Sequence, residues 1–243
     1  MIKKQYHWRQ TASIPLLVLL LAVFLLCAAC GNPLLATTIK LQKAEGTVTI
    51  LDQKGKDLAP REEMNLYSGY QVSTQKTSYA WIDLDREKLT KLDAESEAQI
   101  EKSRNKLEIT VNSGNLFFNI TKPLDEDESL DIRTSSMMVG IRGTCGWVEV
   151  TEDDRMLVYI LEGTVKCTIS DPVNSTAFSA SVSAGEKAEL VFLDGEPDII
   201  TEELTISDIP DFVMEELKDD EELQTRILDD SGLDIQNPPE DDG

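Results

Sequence analysis

The chain has 243 residues, with 45 Asp and Glu against 23 Lys and Arg, a net charge of −22, and a single histidine, His7. That balance argues against phosphate-rich partners, because nucleic-acid binders carry a basic footprint. With no second histidine the chain cannot build a Ser-His-Asp triad, a Cys-His pair or a histidine metal site after residue 7, and neither a GxGxxG nor a GxxxxGK[ST] loop is present.

The first ten residues carry Lys3, Lys4 and Arg9, and seventeen uncharged, mostly apolar residues follow from Ser13 to Ala29. A basic stretch ahead of an apolar one is the pattern of an export signal. The run is a little shorter than the roughly 20 residues of a permanent span, and the small Ala28 and Ala29 sit where a signal peptidase cuts. Leu26-Cys27-Ala28-Ala29-Cys30 resembles the lipobox of bacterial lipoproteins, with Cys27 in place of the usual aliphatic residue. The resemblance implies a lipid on Cys30. A lipid anchor, an uncleaved span and free secretion all remain open, and each puts the rest of the chain outside the cytoplasm. Residues 1–29 are thus a signal or anchor segment, and the membrane is the first partner, through the N-terminus.

Residues 30–193 read as one β-domain. Glycines punctuate short apolar runs of strand length, and several alternate with period two: Ala80, Ile82 and Leu84; Leu107, Ile109 and Val111; Leu116, Phe118 and Ile120; Val165, Cys167 and Ile169. Those sets predict the core face. Met156 to Leu161 is apolar on both parities, which predicts a strand covered on both sides. Glu45-Gly46-Thr47-Val48 recurs as Glu162-Gly163-Thr164-Val165, similar turn chemistry without a fixed repeat period. The fold expected is all-β, an antiparallel β-sandwich or β-roll of about ten or more short strands, with a C-terminal acidic helical tail.

One stretch is more specific. Residues 134–144, TSSMMVGIRGT, resemble the TPxAxxG(V/I)RGTxF signature of the FecR-like domain, the extracytoplasmic domain of iron-dicitrate-type regulators and of many anchored surface proteins. Gly46-x-Val48, Leu66-x-x-Gly69-x-x-Val72-x-Thr74, Leu161-Glu-Gly163-x-Val165 and Val182-x-Ala184-Gly185-Glu186 resemble its other elements in the same order. The resemblance runs from about Ile39 to Phe192 and makes Gly140, Arg142, Gly143, Thr144, Gly163 and Gly185 the structural signature. Ser135, Met137, Tyr70 and Gly146 depart from it, standing for proline, alanine, aspartate and an aromatic residue. Arg142 has two readings. It grips an anionic ligand, or it lies buried and satisfies carbonyls at the bend made by Gly140 and Gly143. The second is preferred, because the stretch offers no second basic neighbour or aromatic. Cys145 and Cys167 fall on opposite faces by parity, which argues against a disulfide between them.

Residues 194–243 hold nineteen Asp and Glu against Lys218 and Arg226. This acidic tail contains one helix candidate near 211–228, with Phe212, Val213, Leu217, Leu223, Ile227 and Leu228 as an apolar stripe. Its structural reading is a helix docked on the β-domain or a half-disordered acidic tail, and its functional reading a partner-binding helix. Neither DEDES at 125–129 nor KDDEE at 218–222 forms a DxDxDG calcium loop, so no cofactor, metal site or catalytic residue is expected. The leading functional reading is a non-enzymatic, membrane-anchored binding or scaffold protein that meets a protein or an envelope polymer, and not nucleic acid. Its alternative is a signal-transducing regulator of the iron-dicitrate sensor type, against which stands the short stretch of twelve residues before the apolar run. A carboxylate-based glycan hydrolase comes last, since the carboxylates cluster in the tail and not at strand ends.

Overall fold

Alternating apolar residues turn nearly every expected run into a strand, and the glycine-bounded corners decide which sheet each strand joins. The computed structural model describes residues 39–237 apart from 85–87, 135–136, 154, 172–175 and 194–195. The expected signal or anchor segment, Cys30, Ser135 and the expected boundary at residue 194 lie outside the described residues. Seventeen strands, numbered in chain order, form two layers.

The front sheet runs in the order β4 (Met64–Asn65), β1 (Lys40–Glu45), β6 (Tyr79–Asp83), β7 (Lys88–Leu92), the second half of β9 (Lys106–Ile120), β12 (Cys145–Val150), β13 (Met156–Glu162), β16 (Glu186–Leu193) and β17 (Glu196–Glu203). The back sheet runs β3 (Asp57–Leu58), β2 (Val48–Leu51), β5 (Tyr70–Thr74), β8 (Glu97–Ser103), the first half of β9, β10 (Ser129–Arg133), β11 (Met137–Ile141), β14 (Thr164–Asp171) and β15 (Thr176–Ser183). Among the described strands every pairing is antiparallel except β9 with β10. The long β9 belongs to both layers and bends at Gly114, whose φ is 77°. A side chain there would run into Ser96.

The other positive-φ glycines of the motifs do the same job. Gly46, Gly143, Gly163 and Gly185 each stand where the chain leaves one sheet and enters the other. The echo of Glu-Gly-Thr-Val is therefore a repeated corner, once between β1 and β2 and once between β13 and β14.

All four sets expected on the core face are buried between the sheets. At about 1.5–3 kcal/mol for each fully buried Leu, Ile, Val or Phe side chain, this is the main stabilising term of the sandwich. Cys167 lies in this core, whereas Cys145 is buried on the other face of the front sheet, and both thiols are free.

The sheet continues into the stretch assigned to the tail, because β17 pairs along its whole length with β16. A 3-10 turn at Ile206–Asp208 follows, and at its start the Thr205 N–H and hydroxyl both donate to the Asp208 carboxylate. Two helices stand where one was expected, α1 (Asp211–Leu217) and α2 (Glu221–Ser231). Asp220 divides them, since its carboxylate accepts the Leu223 N–H at 2.9 Å and starts a new helix. Gly232 ends α2 in the left-handed conformation, with φ 77°. An isolated helix of seven residues is not stable in water, so α1 owes its order to packing. Phe212, Val213, Leu217, Leu223 and Ile227 are buried, and only Leu228 of the expected stripe is exposed. They form a second apolar cluster with Phe117, Trp147, Tyr159 and Leu161. This explains the two-sided apolar pattern of 156–161: one side of β13 faces the back sheet and the other faces the helices.

Candidate functional site

On the front sheet the residues of opposite parity to the core point outward, under the helices. Registered pairing places eight of them in one row across eight strands: Lys43, Trp81, Lys91, Phe117, Trp147, Tyr159, Lys187 and Glu202. Basic and aromatic side chains alternate from Lys43 to Phe117, and three aromatic residues then run together from Phe117 to Tyr159. Trp147 and Tyr159 stack with ring centroids 4.3 Å apart and planes 6° from parallel. Gly146 makes that stack accessible to the backbone: a Cβ there would fall on the Tyr159 carbonyl oxygen, so the aromatic residue usual in the signature has no room.

Lys91 sits at the centre of the row with no exposed side-chain surface. Its Nζ donates to the Phe212 carbonyl at 2.9 Å and lies 3.2 Å from Glu215 and 3.0 Å from Glu216. It also stands 5.0 Å from the Tyr79 ring centroid and 4.9 Å from that of Trp81. The Trp81 indole donates to Glu216 at 3.0 Å, and Lys43 covers the same ring at 4.4 Å while pairing with Glu45. At the far end Lys187 donates to Asp208 at 2.9 Å. That bond holds the Lys187 ammonium above its ordinary range. For Asp208 burial opposes ionisation, but bonds from Thr205 and Lys187 outweigh it and keep the carboxyl below its ordinary range. Burial, aided by Glu149, pushes the Tyr159 phenol well up. Burial alone lifts the Cys167 thiol to about 12, and burial with Glu162 nearby lifts Cys145, so neither thiol is a ready nucleophile.

Four of the six signature residues meet at one end of this face. Gly143, with φ 119°, passes over Pro123, whose Cα lies 3.0 Å from where a Cβ would be. Thr144 is buried beside Gly163, at which a Cβ would come within 2.6 Å of the threonine methyl. The Gly163 N–H donates to Asp230 at 2.6 Å, and Leu204 N–H donates to the Gly185 carbonyl at 2.7 Å. Arg226 adds a bond to Glu162 at 2.9 Å. The corners at Gly163 and Gly185 thus form the seat of α2, a role that their spacing alone did not announce.

Gly140 and Arg142 are placed elsewhere. Gly140 lies outward on the back sheet between Asp131 and Lys166; burial, with Glu108 beside it, raises the Asp131 carboxyl. The expectation that a buried Arg142 ties the corner is corrected: its side chain is exposed, and among the described residues nothing bonds its guanidinium. Backbone geometry and Pro123 hold the bend instead.

Residues 70–166 match the family model described as FecR protein. The chain thus carries a FecR-like domain. No curated protein matches it. Two crystal structures of a candidate anti-sigma factor from Parabacteroides distasonis ATCC 8503, at 1.65 and 2.50 Å, are similar at 17% identity and a TM-score of 0.45. Each similarity covers 55% of this chain and 59% of the other, less than two thirds of that protein's length. The matched stretch reaches from β5 into β14 and contains Trp81, Lys91, Phe117, Trp147 and Tyr159. Lys43, Lys187 and both helices fall outside it. The row itself escaped the sequence reading, which asked only which parity faced the core. Its signal was available in the opposite parity, where aromatic residues recur at 79, 81, 117, 147 and 159.

Proposed function

We propose that this FecR-like protein is a non-enzymatic regulator that works by protein contact outside the cytoplasm, a signal-transducing module of the iron-dicitrate sensor type held to the membrane by its N-terminus. The observation that carries the reading is the FecR match over residues 70–166, which takes in strands of both layers and the middle of the outward row. The charged stretch, the apolar run and Cys30 support the anchor. A surface of stacked aromatics and lysines, rather than a polar cleft, suits recognition of protein.

Deleting the gene in its own bacterium and profiling transcripts tests the regulatory role. The expected result is a limited set of transcripts that changes and returns to normal when the gene is restored. A transcript profile identical to wild type under envelope stress and iron limitation would leave a scaffold role and refute regulation. The anchor is tested separately with a clickable fatty acid: label should enter the wild-type protein and vanish in Cys30→Ala.

A further inference from the structure

The helical segment is acidic and the face that it covers carries Lys43, Lys91 and Lys187, with the Arg226–Glu162 pair running the other way. From Asp211 to Ser231 nine carboxylates stand against Lys218 and Arg226. The covered face supplies aromatic and aliphatic side chains with Lys91 in their midst and Lys43 and Lys187 at the margins. Apolar anchors on an acidic helix, set in a basic aromatic groove, make up the helix-in-groove mode of recognition, here formed within one chain.

Two features point to an interface rather than a further layer of core. Among the described residues the acceptors around the Lys91 ammonium, the Phe212 carbonyl and the carboxylates of Glu215 and Glu216, all come from α1. A buried cation without a partner is costly, so whatever occupies this face must be acidic at that point. The face also continues past the helices. Leu157, Val191 and Ile200 line an open groove beside Tyr159 and Lys187, and Ile200 is exposed. On the other margin Trp81 and Leu89 line a second groove with Lys43. A longer occupant than α1 finds apolar surface on both sides, with Glu189 and Glu202 beside the first groove and Glu62 beside the second.

We propose that the lysine and aromatic row of the front sheet is a docking surface for an acidic amphipathic helix of a partner protein, and that residues 204–237 are its resident occupant, which the partner displaces. The proposal rests on the reading that the protein works by contact, but its test involves no transcription, so the two can fail separately.

The test uses the full chain with a flexible protease site inserted between the exposed Glu203 and the buried Leu204, cleaved after folding. A fluorescent synthetic peptide of residues 204–237 is the probe. Once cleaved, the protein should exchange its segment for the probe, seen as a rise in anisotropy. The uncleaved protein should bind the probe at least about tenfold more weakly, because its tethered segment competes at an effective concentration near the millimolar range. A peptide with Phe212→Ala and Leu217→Ala should compete at least about tenfold less well, and raising salt should weaken the wild-type peptide by withdrawing the lysine contribution. These variants alter only the peptide, so the folding of the protein is not at issue. A cleaved segment that never exchanges, or a doubly substituted peptide that competes equally well, overturns the proposal. Probe found only in species of two protein chains also overturns it, by assigning the face to a second copy.

Discussion

Lys91→Met removes the ammonium at the centre of the row while keeping most of the stem. The change leaves the Phe212 carbonyl without its donor and the Glu216 carboxylate without its cation, and it removes the cation from between Tyr79 and Trp81. Breaking a buried ion pair by removing one partner costs about 3–5 kcal/mol. The structure calls for less than the full figure. Glu215 is 58% exposed and contributes little, and Glu216 at 19% can recruit some water once freed. We therefore expect a loss of about 2–4 kcal/mol, with the orphaned carbonyl supplying the lower part of that range. Glu216→Gln keeps an acceptor for the Trp81 indole and should cost only about 1 kcal/mol. Because both substitutions break the same contact, their effects should not add. Urea denaturation followed by tryptophan fluorescence measures all three variants. A Lys91→Met midpoint equal to wild type, or a double variant whose loss is the plain sum, would refute the claim that Lys91 joins the helices to the sheet.

Three further outcomes follow from the structure. Arg142→Ala should change stability by no more than about 0.5 kcal/mol, since its side chain is exposed and unbonded; a larger shift in the thermal midpoint would restore the buried-corner reading. Gly146→Ala should cost at least about 2 kcal/mol, because the new Cβ meets the Tyr159 carbonyl and not a movable side chain, and a near-neutral midpoint would show that β12 and β13 are not so closely set. The Asp208–Lys187 pair gives a pH signature: Asp208 lies below its ordinary 3.8 and Lys187 above its ordinary 10.5, so its contribution is complete between those values. It is lost as pH falls through the depressed aspartate value or rises through the raised lysine value. Lys187→Met should flatten both shoulders of a thermal-midpoint profile, and an unchanged acid shoulder would count against the pairing.

Period-two alternation made the core legible, because a strand of one parity can bury only one face and the sets from Ala80 to Ile169 leave no ambiguity. The glycine motifs were legible as corners. Arg142 was misplaced because a charged residue between glycines fits either a buried bend or an exposed one. The helices were seen as one because the apolar stripe runs through Leu217 to Leu223, and the break depends on a single cap at Asp220. Least legible was the boundary at residue 193. Charge changes abruptly there, yet Glu196–Glu203 remains a strand, since an edge strand with one face in solvent tolerates acids that a central strand would not.

The central claim is that the FecR-like protein meets its partners through the outer face of the front sheet. A photo-crosslinking residue at Ile200, on the groove beside the row, and another at Lys166, on the outer face of the back sheet, can be compared in living cells. The account expects a protein adduct at Ile200 that is lost in a Lys91→Met background, and none at Lys166. Adducts at Lys166 with none at Ile200 would contradict it.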